Sequence, residues 1–285
     1  MERCHEIVER RLDGFFSEDA GEAGLVDSMR YSLLAGGKRI RAIICIKFCE
    51  AAGGTPESAV EAACAIEMLH AYTLIHDDLP CMDDDDTRRG KPSNHIKYGE
   101  ATAILAGDAL QASAFRTILN IKQAPGKTIK MARILAEAAG AGGVCGGQYL
   151  DLSGEGKPLA KGELLDIHEK KTAELISASA RIGVIAGNGS SRQIKAADEY
   201  ARFVGLAFQA RDDVLDYTAA EEVLGKPAGS DKNNNKTTFA SLFDIDYCNA
   251  LIRSETEKAV AALDGRFEKT EFLIWLAREL AERKN

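Results

Sequence analysis

Ala62-Ala63-Cys64-Ala65-Ile66-Glu67-Met68-Leu69-His70-Ala71-Tyr72-Thr73-Leu74-Ile75-His76-Asp77-Asp78-Leu79-Pro80 is an apolar run that ends abruptly in carboxylates. Val60, Cys64, Met68 and Ile75 recur at roughly helical spacing, which predicts one long helix reaching the Asp77 region. Gly53-Gly54-Thr55-Pro56 precedes it. There the glycines close one helix, Thr55 is placed to cap the next, and Pro56 suits its first turn. Pro80 lacks the N–H that a helix interior needs, so regularity stops just before it.

The rest of the chain reads the same way. Ala35-Gly36-Gly37 breaks one helix from the next, expected over about 38–52. Further helices are expected near 99–120, 127–152, 161–187, 191–218, 236–243, 248–263 and 268–283. No strand alternation and no fixed-period repeat is visible, so the fold class is all-α. The side-chain-poor stretch 141–147 predicts a close helix–helix contact. Residues 219–237, with Gly225, Pro227, Gly229 and Asn233-Asn234-Asn235, predict a long loop. Loops of that length in a compact domain are often functional.

A chain of 285 residues fits one domain spanning 1–285. Such a domain buries about three quarters of its extended surface and needs no disulfide or structural metal. Lys and Arg total 36 against 44 Asp and Glu, a net charge of -8. That balance argues against nonspecific nucleic-acid or anionic-membrane partners. The seven cysteines form no CxxC pair, and Cys45 and Cys49 read as helix core. The charged start Met1–Glu6 lacks a signal-peptide pattern, and no apolar run is long enough for a membrane span. The expected location is cytoplasmic.

Six carboxylates fall between Asp77 and Asp86. A helix C-terminus already carries partial negative charge, and like charges this close repel, so a positive partner is called for. Hard divalent ions suit the oxygen ligands; a solvated acidic loop is the alternative. A second cluster, Asp212-Asp213-Val214-Leu215-Asp216, places Asp212 and Asp216 on one helix face. Two acidic helix ends facing each other would hold Mg²⁺ weakly alone, because Mg²⁺ usually binds through one or two carboxylates plus substrate phosphates. The implied ligand is a diphosphate. Cations stand nearby: Arg88-Arg89-Gly90-Lys91, then Lys38 and Arg41 three apart on one expected helix face, and Lys171, Lys226, Lys232 and Lys236. Each pair alone also reads as ordinary surface charge. Together they suit an anionic substrate.

With these residues in view, the sequence resembles the trans-isoprenyl diphosphate synthases of the polyprenyl synthetase family over nearly its whole length. The marks are Gly36-Gly37-Lys38-Arg39, His76 through Asp83 with Arg88-Arg89-Gly90, and Gly107-Asp108-Ala109-Leu110. Gly147-Gln148 with Asp151, Lys171-Thr172, and Phe208-Gln209 with Asp212–Asp216 complete the set. The resemblance implies helices around a deep central cavity, a homodimer, and three Mg²⁺ ions (Mn²⁺ as an alternative) between the allylic diphosphate and both motifs. Asp77, Asp78 and Asp83 would be ligands from the first motif, and Asp212, Asp213 and Asp216 from the second. Arg88, Lys171 and Lys226 would hold the allylic diphosphate. Lys38, Arg41, His70 and Arg89 would hold isopentenyl diphosphate. Lys236 would be the closing lysine, with Lys232 competing for that register. Thr172 and Gln209 would turn their oxygens toward the developing cation. Two departures stand out: the family usually has proline at the position of Ala42 and more often glutamine at that of Arg211.

On a helix rising 1.5 Å per residue, Tyr72 lies about 7.5 Å and Thr73 about 6 Å before Asp77. In the family an aromatic at the first of these positions, combined with the spacing seen between Asp78 and Asp83, accompanies a C15 product. The expected reaction is therefore head-to-tail condensation of isopentenyl diphosphate with dimethylallyl or geranyl diphosphate to give farnesyl diphosphate. A C20 geranylgeranyl product by the same mechanism is the alternative. A terpene cyclase and a catalytically silent prenyltransferase-like subunit are distant ones.

Overall fold

The computed structural model describes residues 1–16, 21–224 and 237–283, with backbone alone at 219–224. The chain divides into two compact units: residues 1–136 with 182–189, and residues 137–181 with 190–285. Helices dominate both, so the chain is all-α.

The first unit contains α1 (Glu2–Phe15), α2 (Ala23–Leu33), α3 (Ile40–Ala51), α4 (Pro56–Asp77), α5 (Asn94–Tyr98) and α6 (Glu100–Leu119). The helix α4 is its axis. Ala62, Ala63, Ile66, Met68 and Leu69 are fully buried along it, on more than one face. A helix that is apolar all round must be surrounded, and α1, α2, α3 and α6 all pack against α4. Cys45 and Cys49 are fully buried on α3, as expected of core residues. Pro56 does occupy the first turn of α4, and Gly53 closes α3 at φ +94°. Thr55 is the N-cap by backbone only: its hydroxyl lies 3.2 Å from Ser58 Oγ instead of on a helix N–H.

In the second unit α11 (Ser191–Leu224) is the longest element. Helices α12 (Phe239–Leu242), α13 (Ile245–Leu263) and α14 (Glu271–Glu282) pack on it. Leu164, Ala207, Ala210, Val214, Phe239, Cys248 and Ile252 form one buried cluster there. Tyr200, fully buried, donates its hydroxyl to the Leu273 carbonyl at 2.7 Å, so the ring packs without an unpaired polar atom. The chain passes between the units along α7 (Pro125–Ala139) and α10 (Glu174–Ala186), and the second unit also holds α8 (Val144–Gly154) and α9 (Lys161–His168).

Several boundaries differ from the sequence reading. The expected helix 127–152 is two helices, α7 and α8, because Gly140, Gly142 and Gly143 interrupt it. The expected helix 161–187 contains a π-helical turn, Glu169–Ala173, between α9 and α10. Helix α11 runs on to Leu224, so 219–224 are helical rather than loop; no breaker occurs before Gly225. The helix expected from 248 begins at Ile245, where Asp244 accepts from the Tyr247 N–H at 2.7 Å and caps it. The helix expected over 38–52 begins only at Ile40, after Arg39 in the left-handed region at φ 49°. Lys38 and Arg41 therefore do not share a helix face. A two-residue antiparallel hairpin, β1 (Thr87–Arg88) with β2 (Lys91–Pro92), had no alternation to announce it.

Candidate active site

The first acidic motif is a helix end folded back on itself. Asp78 caps α4, and the Asp83 N–H returns to the Asp77 carbonyl at 2.9 Å. Asp78 is only 2% exposed and accepts from Arg88 Nε at 2.8 Å; Arg88 Nη2 also reaches Asp85 at 3.1 Å. Burial pushes the Asp78 carboxyl upward while Arg88 opposes the shift. Gly90, at φ +72°, turns the hairpin that carries Arg88. Arg89, also left-handed at φ 54°, sends its guanidinium to the Gly36 carbonyl. A side chain at Gly37 would meet that guanidinium at 2.9 Å, so the Gly36-Gly37 pair makes room for Arg89.

Three residues expected to hold isopentenyl diphosphate, Arg41, His70 and Arg89, belong to one crowded corner of this unit. Arg41 lies 3.3 Å from His70 Nε2, and its own Nε is buried with no hydrogen-bond partner among the described residues. Burial lowers the Arg41 pKa, and Glu67 only partly offsets this. Burial first, then Arg41 and Arg89, hold His70 well below the usual imidazole value. Arg89 is lowered by burial and by Arg39. A small pocket is lined here by Tyr31, Arg39, His70, Arg88, Arg89 and Lys91, among others. Crowded, desolvated cations of this kind favour an anion. Lys38 is exposed and precedes α3.

The sequence assigns no role to Glu67, and none to Arg39 beyond its place in Gly36-Gly37-Lys38-Arg39. Arg39 is buried, bonded to Glu9 at 2.7 Å and to Glu67 at 3.3 Å. Glu67 also accepts from the Ala42 N–H at 3.1 Å. A proline at 42 would have no N–H to give, so the departure at Ala42 supplies a bond. The only hint was Glu67 as the single charged residue in the apolar stretch 62–69.

Tyr72 is 6% exposed, and its ring meets His76 edge-on, centroids 5.4 Å apart at 89°. Thr73 turns its hydroxyl back to the His70 carbonyl at 2.8 Å. Gly107 lies beneath the His76 ring, where any Cβ would collide with the imidazole.

In the second unit Lys171 and Thr172 sit in the π turn. The Lys171 backbone lies against Gly147, where a Cβ would not fit, so the glycine-rich stretch does serve a close contact. Lys171 Nζ pairs with Asp151 at 2.6 Å. Thr172 Oγ1 donates to Gln209 Oε1 at 3.1 Å, and Gln209 Nε2 donates to Asp213 Oδ1 at 3.1 Å. The other oxygen of Asp213 accepts from the Phe239 N–H at 2.8 Å. Burial raises the Asp213 carboxyl to about 6, against the lowering effect of these bonds. Burial also drives His168, 3.7 Å from Asp213, down to about 4. Asp212 is paired with Arg283, whose guanidinium lies 3.8 Å over the Phe208 ring. Arg211 donates to the Arg283 carbonyl at 2.9 Å, which accounts for the arginine at that position. Arg283, 71 positions from Asp212 in sequence, carried no local signal. Asp216 is exposed.

Both motifs offer carboxylate oxygens, the donor type that suits a hard divalent ion. Among the described residues no three His, Cys, Asp or Glu groups converge as a ready-made cage. Lys226, Lys232 and Lys236, together with most of the expected loop, lie outside the described residues.

The family model described as Polyprenyl synthetase matches residues 22–272. The farnesyl diphosphate synthase of Geobacillus stearothermophilus is 46% identical over 243 residues, 84% of this chain and 82% of that protein. The chloroplastic geranylgeranyl pyrophosphate synthase of Capsicum annuum is 43% identical, covering 91% of this chain and 71% of its own. Among solved structures, a geranyltransferase from Legionella pneumophila superposes with a TM-score of 0.89 at 33% identity, over 100% of this chain and 96% of that one. An FPP/GFPP synthase from Zymomonas mobilis gives 0.87 at 32%, over 98% of each.

Proposed function

The chain belongs to the polyprenyl synthetase family, and from that premise we propose that it joins isopentenyl diphosphate head-to-tail to an allylic diphosphate. At family level it is a trans-prenyltransferase making a polyprenyl diphosphate. The observation that carries the two-substrate reading is the corner of Arg41, His70 and Arg89, with the orphaned Arg41 Nε. A cyclase, which ionises one diphosphate, has no use for this second anion site.

In this reading Asp77, Asp78 and Asp83, with Asp212, Asp213 and Asp216, are the residues that would hold three Mg²⁺ ions. Magnesium when bound supplies Lewis-acid stabilisation of the departing diphosphate. Arg88 and Lys171 add positive charge to the same oxygens, and the resemblance gives Lys226, outside the described residues, the same role. Lys38, Arg41, His70 and Arg89 orient isopentenyl diphosphate so that its double bond meets the allylic C1. Thr172 and Gln209 present oxygen to the positive charge developing there. The released diphosphate takes the proton, and the resemblance gives Lys236, outside the described residues, the part of excluding water. The unit that acts is one catalytic domain, a homodimer in the cytoplasm. Among the described residues no helix is long and apolar enough to cross a membrane.

Product length divides two readings. The Geobacillus relative is a farnesyl diphosphate synthase, but further curated relatives at 43–45% identity are, like the Capsicum protein, geranylgeranyl pyrophosphate synthases, which favours C20 over the C15 product expected from the sequence. One observation keeps the C15 reading: Tyr72, buried one and a half helical turns before Asp77 and braced by His76. Incubation with Mg²⁺, labelled isopentenyl diphosphate and either dimethylallyl or geranyl diphosphate, followed by product sizing, tests both levels. Label moving into a C15 or C20 allylic product supports prenyl transfer and selects the length. No incorporation with either starter contradicts the function.

A further inference from the structure

We propose that Asp213 is a positioning residue rather than a metal ligand: through Gln209 it fixes which way the Thr172 hydroxyl points. The inference rests on the prenyl-transfer reading and assigns Asp213 a different part in it.

Thr172, Gln209 and Asp213 form a hydrogen-bonded line. Each link is 3.1 Å, from the π turn to α11, and Gln209 and Asp213 are one turn apart on that helix. Asp213 is 5% exposed and Thr172 9%. Both Asp213 oxygens are engaged by N–H donors, Oδ1 by Gln209 and Oδ2 by Phe239. His168, 3.7 Å from the same Asp213 Oδ2, stacks on Phe239 with centroids 5.1 Å apart.

The chemistry of the three groups sets the direction of every bond. An ionised carboxylate only accepts, so the NH₂ end of Gln209 must face Asp213. The amide carbonyl is then left for Thr172, which has to donate its single hydrogen to it. Both lone pairs of the Thr172 oxygen are thereby turned away from Gln209. An oxygen presenting lone pairs stabilises a developing cation, whereas a hydroxyl hydrogen opposes it. Asp213 thus sets the sign of the dipole at Thr172 without touching the reacting carbon.

Asp213→Asn reverses the line. The Phe239 N–H retains the new carbonyl oxygen, so the new NH₂ faces Gln209. The Gln209 amide must flip, and Thr172 becomes an acceptor with its hydrogen directed outward. Adding Gln209→Glu restores the original sense, because a carboxylate at 209 accepts both from the new amide NH₂ at 213 and from Thr172. Steady-state kinetics at pH 8 on D213N, Q209E and D213N/Q209E, with Mg²⁺ varied, separates the two roles. We expect D213N to lower kcat on the order of 10- to 100-fold. KM for isopentenyl diphosphate and the Mg²⁺ half-saturation should stay within about twofold, and the double variant should recover most of kcat. Three results would overturn the proposal: unchanged kcat in D213N, kcat restored by excess Mg²⁺ alone, or a double variant no better than D213N. Thermal unfolding reads the same line without turnover. Each single variant should lower Tm, and the pair should lower it by less than their sum; strict additivity also overturns the proposal. A wild-type protein that makes no prenyl product would sink the parent reading, leaving the Tm cycle to judge the hydrogen-bonded line.

Discussion

Glu67 lies at 2% exposure between the Arg39 guanidinium and the Ala42 N–H. Removing it strands the buried Ala42 N–H and takes one of two carboxylates from Arg39, which keeps Glu9, a loss of about 1–3 kcal/mol. Glu67→Ala is therefore expected to lose that much stability in urea unfolding, while Ala42→Pro, losing one hydrogen bond to a charged group, costs about 1–3 kcal/mol. Tyr72 calls for a different readout. It packs against His76 on the helix that ends in the first motif, so if it is the floor for the growing chain, Tyr72→Ala lengthens the product by at least one five-carbon unit. Chromatographic sizing that shows an unchanged product removes Tyr72 from that role.

The π turn at Glu169–Ala173 places Lys171 against Gly147 of α8. A methyl there has no room, and overpacking typically costs about 1–3 kcal/mol. Gly147→Ala should lower Tm and, by shifting Lys171 and Thr172, lower kcat more than either substrate KM. In the first unit, burial and the surrounding arginines keep His70 neutral. A base whose pKa is depressed on folding contributes stability above its unfolded value of about 6.5 and loses it as pH falls. The acid-side fall in Tm below about pH 6.5 should therefore flatten in His70→Gln. These elements also mark how far the sequence could be read. Helix α4 was legible because its period, its Pro56 start and its Pro80 stop all agree, and α6 nearly matched its expected limits. The π turn was not, since one extra residue in a helix leaves the apolar spacing almost unchanged. Nor was the late start of α3, which depends on Arg39 adopting a left-handed backbone to reach Glu9 and Glu67. The motif residues were legible as types and order. Their hydrogen-bond partners, Arg283 above all, came from distant sequence that carries no pattern.

At the scale of the whole chain, a net charge of -8 coexists with a desolvated cationic corner and two acidic motifs. The proposed function has both motifs serve a single diphosphate through magnesium. Calorimetric titration with inorganic diphosphate, with and without Mg²⁺, addresses that claim without requiring turnover. Wild-type protein should bind diphosphate tightly only when Mg²⁺ is present, and Asp77→Ala and Asp212→Ala should each weaken that binding at least about tenfold, or about 1.4 kcal/mol. Full Mg²⁺-dependent binding in either variant would contradict it.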